Sequence, residues 1–291
     1  MSLTKFIKFT EVKEGLKKYI KKPRISLKAG ILAPPLTDNS VQVGIAFDYL
    51  LRFLLKRINP RAIVGRWIAE NDPPVFGTLP YLIGQDDFLE MMAQRDDLIR
   101  LTKKKADLFV KDGKLHRSLI RNCLIMSQYD LLIRTGRVYY TGGEVNEKDI
   151  RDLKKLIEIV PLKTLKAKKV CALNPTFGKA SQIVRGADAD IILDKCIIDI
   201  KTVRSLTFKR DYFDQLIGYY LLQNIGGIDG IKGETEIDSI GIYFSRFALM
   251  YKINISECID VGQKDKLVKW FKKMANKYYT NRYAKLRRLK R

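Results

Sequence analysis

The sequence predicts an α/β protein in which a mostly helical region precedes a compact sheet region. Before Pro161, apolar side chains recur at the spacing of helices. From Lys168 onward they occur instead in short runs rich in β-branched residues, which are typical of strands. From Gln263 to the end the pattern is helical again and strongly basic. We therefore expect two regions: residues 1–167, mostly helical, and residues 168–291, a sheet core with a basic C-terminal helix.

Each element follows from local patterns. Helices are predicted at 41–58, 86–110, 115–134 and 146–160. The first has an apolar stripe and ends before Pro60, and in the last Asn146 and Asp149 resemble a capping pair. Strands are predicted at 170–173, 183–193 and 196–203, then a helix at 211–224 and strands at 237–244 and 249–255.

The overall charge predicts a polyanionic partner. The chain has 291 residues and a formal net charge of +23, whereas its 46% hydrophobic and 30% charged content is ordinary for a folded protein. No apolar stretch approaches the 18 or so residues that a transmembrane helix needs. Residues 1–24 carry many lysines and no apolar signal core. We expect a cytoplasmic protein that binds nucleic acid rather than a membrane.

The segment from Gly186 to Thr202 predicts a β-hairpin with an unusual set of charges. If Asp194-Lys195 is a two-residue turn, Asp190 lies opposite Asp199 and Asp188 lies opposite Lys201. A four-residue loop keeps this register, but a three-residue loop shifts it by one. Two carboxylates directly opposite each other repel at about 4.5–5.5 Å between Cβ atoms. A divalent cation between Asp190 and Asp199 would offset that repulsion, since hard cations bind oxygen ligands.

These residues resemble a known nuclease family. Asp190, followed after the hairpin by Asp199-Ile-Lys201, is similar to the motif of the PD-(D/E)xK nuclease superfamily. Gln215-Leu-Ile-Gly-Tyr219 resembles the QxxxY motif of its RecB-type branch, which is related to lambda-exonuclease-like enzymes. The resemblance covers roughly residues 168–256. It implies a restriction-endonuclease-like core, with a mixed central sheet flanked by helices. Helix 41–58 would be the first core helix, and 59–167 an insertion within a helical N-terminal elaboration.

The resemblance also implies roles for the site residues. Asp190, Asp199 and the main-chain carbonyl of Ile200 would bind Mg²⁺ or Mn²⁺. Lys201 would orient or deprotonate the attacking water and stabilise the transition state. Gln215 would hydrogen bond near the lysine or the metal-bound water, and Tyr219 would support the site or touch DNA. The alternative for Tyr219 is a core aromatic residue.

Two further acids leave alternatives open. Relatives often place a metal-binding histidine on the first helix, four residues after a glycine, and here Gly44 is followed at that distance by Asp48. Asp48 could bind the metal, accept a hydrogen bond beside it, or pair with Arg52 at i+4. Asp188 could be a second ligand or the ion-pair partner of Lys201, and we favour the ion pair.

The basic C-terminal segment is the predicted nucleic-acid contact. Residues 264–291 contain twelve Lys or Arg against one acid, Asp265. We expect Trp270 and Phe271 to pack and the basic side chains to neutralise phosphates. The alternative is an amphipathic helix that docks on the sheet, with its lysines in water. The predicted DNA-binding residues are Lys272, Lys273, Lys277, Arg282, Lys285, Arg287 and Arg288.

Other kinds of metal or catalytic centre find little support. The only histidine, His116, lies where a helix is predicted to begin, and we expect a surface role for it. The four cysteines are widely spaced, so we expect reduced, buried thiols and no iron–sulfur cluster.

Together these features predict a Mg²⁺- or Mn²⁺-dependent deoxyribonuclease acting on single- or double-stranded DNA. Exonuclease or end-processing activity is favoured over endonuclease cutting. The alternatives are a non-catalytic nucleic-acid-binding module or subunit, and an RNA-directed nuclease. A protein partner or a homo-oligomer is left open.

Overall fold

The sheet organises the structure. We analysed a computed structural model, which describes residues 2–71, 81, 84–135, 143–231, 233 and 236–288, with the side chains of the last helix described as far as Tyr279. Over these residues the protein is α/β, with an open six-stranded mixed sheet whose strands are adjacent in chain order. The strands are β1 (Ile63–Val64), β2 (Cys171–Leu173), β3 (Ile191–Leu193), β4 (Cys196–Lys201), β5 (Ser239–Phe244) and β6 (Leu249–Asn254).

Parallel and antiparallel pairings alternate with the connections between strands. β1–β2 and β4–β5 are parallel, and the other three neighbouring pairs are antiparallel. Parallel neighbours need a long crossover, and helices supply both. The described helices are α1 (Leu3–Phe6), α2 (Thr10–Tyr19), α3 (Ser40–Ile58), α4 (Gln85–Asp112), α5 (Arg117–Thr135), α6 (Glu147–Glu158), α7 (Lys179–Ile183), α8 (Arg210–Gly226) and α9 (Lys264–Arg288). α4, α5 and α6 lie between β1 and β2, and α8 lies between β4 and β5.

The predicted helices are confirmed, and shorter elements were missed. Each of the six predicted helices begins and ends within two residues of the predicted bounds, where a bound was predicted. The sequence did not predict α1, α2, α7 or β1. A strand of two residues carries no periodic pattern, so β1 becomes visible only through its pairing with β2.

The hairpin between β3 and β4 has the predicted register. Leu193 pairs with Cys196 across the two-residue turn Asp194-Lys195, and Ile191 pairs with Ile198. Asp194 adopts a positive φ of 53°. Its carboxylate accepts hydrogen bonds from the amides of residues 168, 169 and 170. An aspartate therefore replaces the usual glycine because its side chain binds the segment that leads into β2.

The predicted strand 183–193 was too long. Its first residue, Ile183, is instead the last residue of helix α7, and a turn follows in which Arg185 has φ 61° and Gly186 has φ 118°. Two successive residues with positive φ break an extended strand, so β3 begins only at Ile191. A β-branched run alone did not reveal this turn.

The capping pair proposed at 146–149 was half right. Asn146 caps α6, because its Oδ1 accepts from the amide of Lys148 at 2.9 Å. The main-chain amide of Asp149 donates to the carbonyl of Asn146 at 3.0 Å, but the side chain of Asp149 does not complete a capping box. Its carboxylate instead accepts from Thr37 Oγ1 and, at 2.8 Å, from Asn39 Nδ2. Asp149 thus holds the segment that leads into α3.

Two apolar cores lie on the two faces of the sheet. One contains the inward faces of α3, α4, α5 and α6, together with Ile191 and Ile198. The other contains α1, α2, α8 and α9, together with Ile192 and Ile197. Alternate residues of each strand face opposite cores, as the period of two requires. Helices therefore cover both faces of the sheet.

A buried ion pair joins the helical layer to the sheet. Arg246, in the turn between β5 and β6, donates to both carboxylate oxygens of Asp152 on α6, at 2.8 and 2.9 Å. Both side chains are 1% exposed. Arg246 also donates to the carbonyl of Ala33 at 2.9 Å.

Within the described helices, none has the length and hydrophobicity needed to cross a bilayer.

Candidate active site

Strand β4 brings three of the predicted site residues together. Asp199 and Lys201 lie on the same face of β4, and Lys201 Nζ is 2.6 Å from Asp199 Oδ2. Asp190 lies just before β3, and its Oδ2 accepts a hydrogen bond of 2.6 Å from the amide of Ile200. The hairpin register therefore places both carboxylates beside one stretch of main chain. Ile200 lies within β4, where it pairs with Tyr243 of β5. Its side chain is a hydrocarbon, so a contact of Ile200 with a cation would involve its main-chain carbonyl.

Asp188 does not pair with Lys201, contrary to our prediction. It forms a β-bridge with Thr176, and its Oδ2 lies 3.9 Å from Nη2 of Arg134 on α5. The paired part of the hairpin begins only at Ile191, so Asp188 pairs with Thr176, in the segment after β2, rather than with β4. Lys201 pairs with Asp199 instead.

Helix α8 extends the site through two hydrogen bonds. Lys201 Nζ donates to Gln215 Oε1 at 3.2 Å, and Gln215 Nε2 donates to Tyr219 Oη at 2.8 Å. Tyr219 is 5% exposed and its ring stacks on Phe177 at 5.8 Å between centroids. Tyr219 is therefore a core aromatic residue, and its hydroxyl contacts Gln215.

Asp48 forms the predicted pair with Arg52 and keeps one oxygen free of it. Arg52 Nη2 donates to Asp48 Oδ2 at 2.6 Å. Asp48 Oδ1 is buried and has no hydrogen-bond partner among the described residues. Leaving a buried acceptor unsatisfied costs about 1–3 kcal/mol. The ion pair and a role beside the other acids therefore do not exclude each other.

Sequence patterns missed three residues that the fold adds to the site. Tyr212, on α8, lies with its ring 4.8 Å from Lys201 Nζ. On α5, Asp130 accepts a hydrogen bond of 2.7 Å from Tyr49, and Arg134 lies between Asp130 and Asp188. Tyr212 precedes Gln215 by three residues on one helix face, which was a usable signal. The α5 residues had none, because only the tertiary fold brings them to β3 and β4.

The carboxylates at this site shift one another's protonation. Burial, then the charges of Asp199 and Asp48, raise the pKa of Asp190 well above its ordinary value. Burial also raises the pKa of Asp199, although Lys201 opposes it, and the pKa of Asp48, although Arg52 opposes it. Burial alone would lower the pKa of Lys201, but Asp199 and Asp190 more than offset it, so this pKa is raised. The lysine is therefore a stable cation beside acids that resist carrying their charges together.

The site carries more negative than positive side chains. Among the described residues, the charged side chains that act on one another's protonation here are five acids, Asp48, Asp130, Asp188, Asp190 and Asp199, and three cations, Arg52, Arg134 and Lys201. No three His, Cys, Asp or Glu side chains of the described chain converge closely enough to form a complete metal-binding group. A cation here would take a pair of carboxylates together with main-chain or water oxygens.

The predicted nucleic-acid residues lie on α9. Phe271 and Met274 are buried in the core that also contains α1, α2 and α8, and Lys272 and Lys273 are exposed. Trp270 packs against Tyr19 at 5.5 Å between ring centroids, so Trp270 and Phe271 pack as expected. Lys277 forms an ion pair of 2.6 Å with Glu11 on α2. The side chains of Arg282, Lys285, Arg287 and Arg288 lie outside the described residues.

The remaining candidates are placed as expected. His116 is exposed just before α5. Cys123, Cys171, Cys196 and Cys258 are buried and unpaired. Burial raises the pKa of the Cys258 thiol to about 11, which disfavours the reactive thiolate.

Similarity to known proteins adds no further constraint. No protein-family model matches the chain, and neither a curated protein nor a solved structure resembles it significantly.

Proposed function

We propose that this protein is a metal-dependent nuclease that hydrolyses phosphodiester bonds in DNA. One observation carries the proposal. Asp199, Lys201, Gln215 and Tyr219 form a continuous chain of contacts of 2.6, 3.2 and 2.8 Å from strand β4 to helix α8. The spacing of the sequence motifs predicts the same four residues. Local secondary structure alone does not require a lysine on a strand to meet a glutamine on the next helix.

The surrounding topology is compatible with a restriction-endonuclease-like core. In such a core, helix α3 would be the first element, followed by strands β2, β3 and β4, helix α8 and strand β5. Here β4 and β5 are parallel neighbours and α8 is their crossover. The fold analogy supports the proposal but does not by itself define an activity, since one fold hosts many functions.

The donor set suits a hard divalent cation, Mg²⁺ or Mn²⁺. Asp190 and Asp199 would hold it, together with the main-chain carbonyl of Ile200 and water oxygens. Asp48, whose buried Oδ1 has no hydrogen-bond partner among the described residues, would accept a hydrogen bond beside it. The raised pKa of Asp190 indicates that its charge lacks compensation from the protein alone. When bound, such a cation lowers the pKa of a water ligand and neutralises charge on phosphoryl oxygens.

The side chains around Asp190 and Asp199 supply a positive charge, that of Lys201, and hold it in position. Lys201, held by Asp199 and Gln215, places an ammonium group where negative charge develops on the phosphate. Gln215 fixes the lysine and is fixed in turn by Tyr219. The ring of Tyr212 covers the lysine from the other side at 4.8 Å. Lys201 therefore has few alternative positions.

DNA is the proposed substrate because the chain is strongly basic and α9 exposes lysines. The net charge of +23 favours a polyanion. Exonuclease or end-processing activity is preferred because the Gln215–Tyr219 pair resembles the RecB-type motif. RNA is the natural comparison substrate, since phosphate contacts dominate affinity for both polymers.

The test is cleavage of end-labelled DNA, single- and double-stranded, beside matched RNA, with Mg²⁺, with Mn²⁺ and with chelator. The wild-type protein is compared with Asp199→Ala/Lys201→Ala. The matched control is Glu14→Gln/Lys17→Gln, which removes an exposed pair of the same type at 2.8 Å on α2. We expect metal-dependent DNA cleavage in the wild type and the control and none in the site variant. The product ladder separates exonuclease from endonuclease.

Two results would contradict the proposal. Cleavage that survives in the site variant would locate the activity elsewhere or in a contaminant. Binding of DNA with no cleavage under any metal would favour the non-catalytic binding module. Faster cleavage of RNA than of DNA would keep the site and change the substrate.

A further inference from the structure

Arg134 is held unusually loosely for an arginine surrounded by acids. It lies in the last turn of α5, with Nε 3.9 Å from Asp130 Oδ2 and Nη2 3.9 Å from Asp188 Oδ2. Charge-assisted hydrogen bonds between these groups are ordinarily about 2.7–2.9 Å long. Both contacts of Arg134 are ion pairs without hydrogen bonds, and the side chain is 46% exposed. With respect to the described part of the chain, the guanidinium group thus keeps donors available for another acceptor.

This arginine also belongs electrostatically to the candidate site. Burial alone would lower its pKa, but Asp188, Asp130 and Asp48 more than offset this and raise it. The charge of the same guanidinium opposes the rise in pKa that burial causes at Asp48 and at Asp130. Arg134 therefore faces the carboxylates from the helical side, whereas Lys201 faces them from the sheet.

A cleft beside Asp188 gives a strand of nucleic acid a place to lie. It has a volume of about 540 Å³ and is lined by Asp188, by Arg66 and Asn71, and by Asn174 and Thr176 of the sheet side. Ligand sites typically have volumes of about 300–1,000 Å³. Arg134 contacts Asp188 at the border of this cleft. Asp188 precedes Asp190 by two residues in the chain, so a phosphate bound beside these two acids would approach the Arg134 guanidinium from the side of Asp188.

We propose that Arg134, contributed by the helical segment between β1 and β2, binds the phosphate group that is cleaved at the Asp190–Asp199 site. This rests on the proposed nuclease function. Arginine suits the role because its planar fork donates two parallel hydrogen bonds to a phosphate. Asp130 and Asp188 position the fork before substrate arrives, and the substrate oxygens replace these long contacts with short ones. The helical segment thereby supplies a catalytic residue as well as packing.

The rival explanation is structural. A cation in the last turn of a helix interacts favourably with the helix dipole and with an acid at i−4, as Arg134 does with Asp130. A purely structural arginine would affect thermal stability but would not contact nucleic acid. The experiment must therefore measure DNA contact directly.

The variants are Arg134→Met, Arg134→Lys and, as matched control, Arg117→Met. Arg117 lies in the first turn of the same helix and is an exposed arginine paired with Glu147. At 1.5 Å per residue the two arginines lie about 25 Å apart along α5. Each protein is assayed for kcat on single- and double-stranded DNA. In parallel, fluorescence anisotropy in chelator gives the affinity for a labelled 20-nucleotide strand as a function of salt.

We expect Arg134→Met to lower kcat about 10²-fold, the scale of losing one donor to a developing oxyanion. Its salt dependence should lose about one phosphate contact relative to the wild type. Arg134→Lys should retain that contact as a point charge while still lowering kcat, since it lacks the fork. Arg117→Met should match the wild type in both measurements. If Arg134→Met melts early, Arg134→Lys carries the kcat comparison.

Two results would overturn the inference. One is a kcat and a salt dependence for Arg134→Met within twofold of wild type. The other is an equal effect of Arg134→Met and Arg117→Met, which would reflect general charge. If the wild type cleaves nothing, the proposed function fails separately. The salt dependence then still decides whether Arg134 contacts phosphate.

Discussion

The amide of Ile200 donates to Asp190 Oδ2 at 2.6 Å, which fixes an acid that precedes β3 against the strand that carries Asp199 and Lys201. The bond uses one carboxylate oxygen and leaves the other free of it. It favours the charged form of Asp190, yet burial and the charges of Asp199 and Asp48 dominate and raise the pKa. The protein thus holds an acid in place at an electrostatic cost, which a bound cation would offset.

Asp190→Asn should therefore stabilise the protein without metal. An amide oxygen can keep the bond to Ile200, whereas the buried negative charge is lost. We expect Tm in chelator to rise by roughly 2 °C or more, equivalent to about 1 kcal/mol for a domain of this size. The wild type should gain stability with Mn²⁺ or Mg²⁺, and the variant should not. Differential scanning fluorimetry with and without metal measures both effects. A wild-type Tm that no divalent metal changes would contradict the metal site.

How far the sequence predicts this site depends on the distance over which its residues interact. The turn at Asp194-Lys195 set the register, and the register set the positions of Asp190 and Asp199, so local pattern was sufficient. Gln215 and Tyr219 were assigned through the resemblance to the QxxxY motif, and their spacing of four places them on one face of a helix. Asp188 was assigned the wrong partner because a turn with positive φ at Arg185 and Gly186 redirects the chain before β3.

The helical contribution to the site was not predictable. Tyr49 and Asp130 meet through packing between α3 and α5, and Arg134 of α5 meets Asp188 in the segment that leads into β3. Such contacts join segments far apart in the chain, and hydrophobic periodicity specifies which face of a helix is buried but not which helix it meets. The +23 charge likewise predicted a polyanion without locating its path.

Tyr219 allows the aromatic and the polar role to be separated. Tyr219→Phe keeps the ring on Phe177 and removes only the hydroxyl that accepts from Gln215. We expect a loss of about 1 kcal/mol or less in stability, because one ordinary hydrogen bond is removed. Cleavage should fall about tenfold, since Gln215 then holds Lys201 less firmly.

Tyr219→Ala is the companion variant. It should destabilise the protein by about 3–5 kcal/mol, the usual cost of deleting a large buried aromatic side chain. Urea unfolding and steady-state cleavage measure the two quantities. Equal losses of stability in the two variants would show that the hydroxyl of Tyr219, and not the packing of its ring, accounts for its contribution to stability.

The Arg246–Asp152 pair should dominate the junction between α6 and the sheet. Asp152→Ala leaves a buried guanidinium without its partner, which typically costs about 3–5 kcal/mol. The double variant Arg246→Met/Asp152→Leu removes both charges and should recover much of that loss. Urea unfolding of the wild type and both variants supplies the comparison. A double variant less stable than Asp152→Ala would mean that the bond to Ala33 matters more than the charges.

Each exposed lysine of α9 should contribute more to DNA affinity when no acid in the protein already neutralises its charge. Lys272→Gln/Lys273→Gln removes two exposed charges and should reduce the salt dependence of duplex binding by about two phosphate contacts. Lys277→Gln should have a smaller effect, because Glu11 already neutralises Lys277 at 2.6 Å. Anisotropy titrations between about 50 and 200 mM salt measure the slopes. A double variant with the wild-type slope would place the DNA path away from this face of α9.

Asp130 should make the stability of the protein depend on pH in the acidic range. Burial raises its pKa to about 6, although Arg134 and the bond from Tyr49 oppose the shift. The folded protein therefore binds a proton more tightly than the unfolded chain, so stability is fully present below the ordinary aspartate pKa. It is lost as pH rises through about 6. A shift of about two units corresponds to about 3 kcal/mol at most.

Asp130→Asn keeps an acceptor for Tyr49 and cannot ionise. Its stability relative to wild type should thus improve by about 2–3 kcal/mol between pH 4 and pH 7. Urea unfolding at several pH values tests this, and a difference that stays constant with pH would mean that folding does not raise the pKa of Asp130.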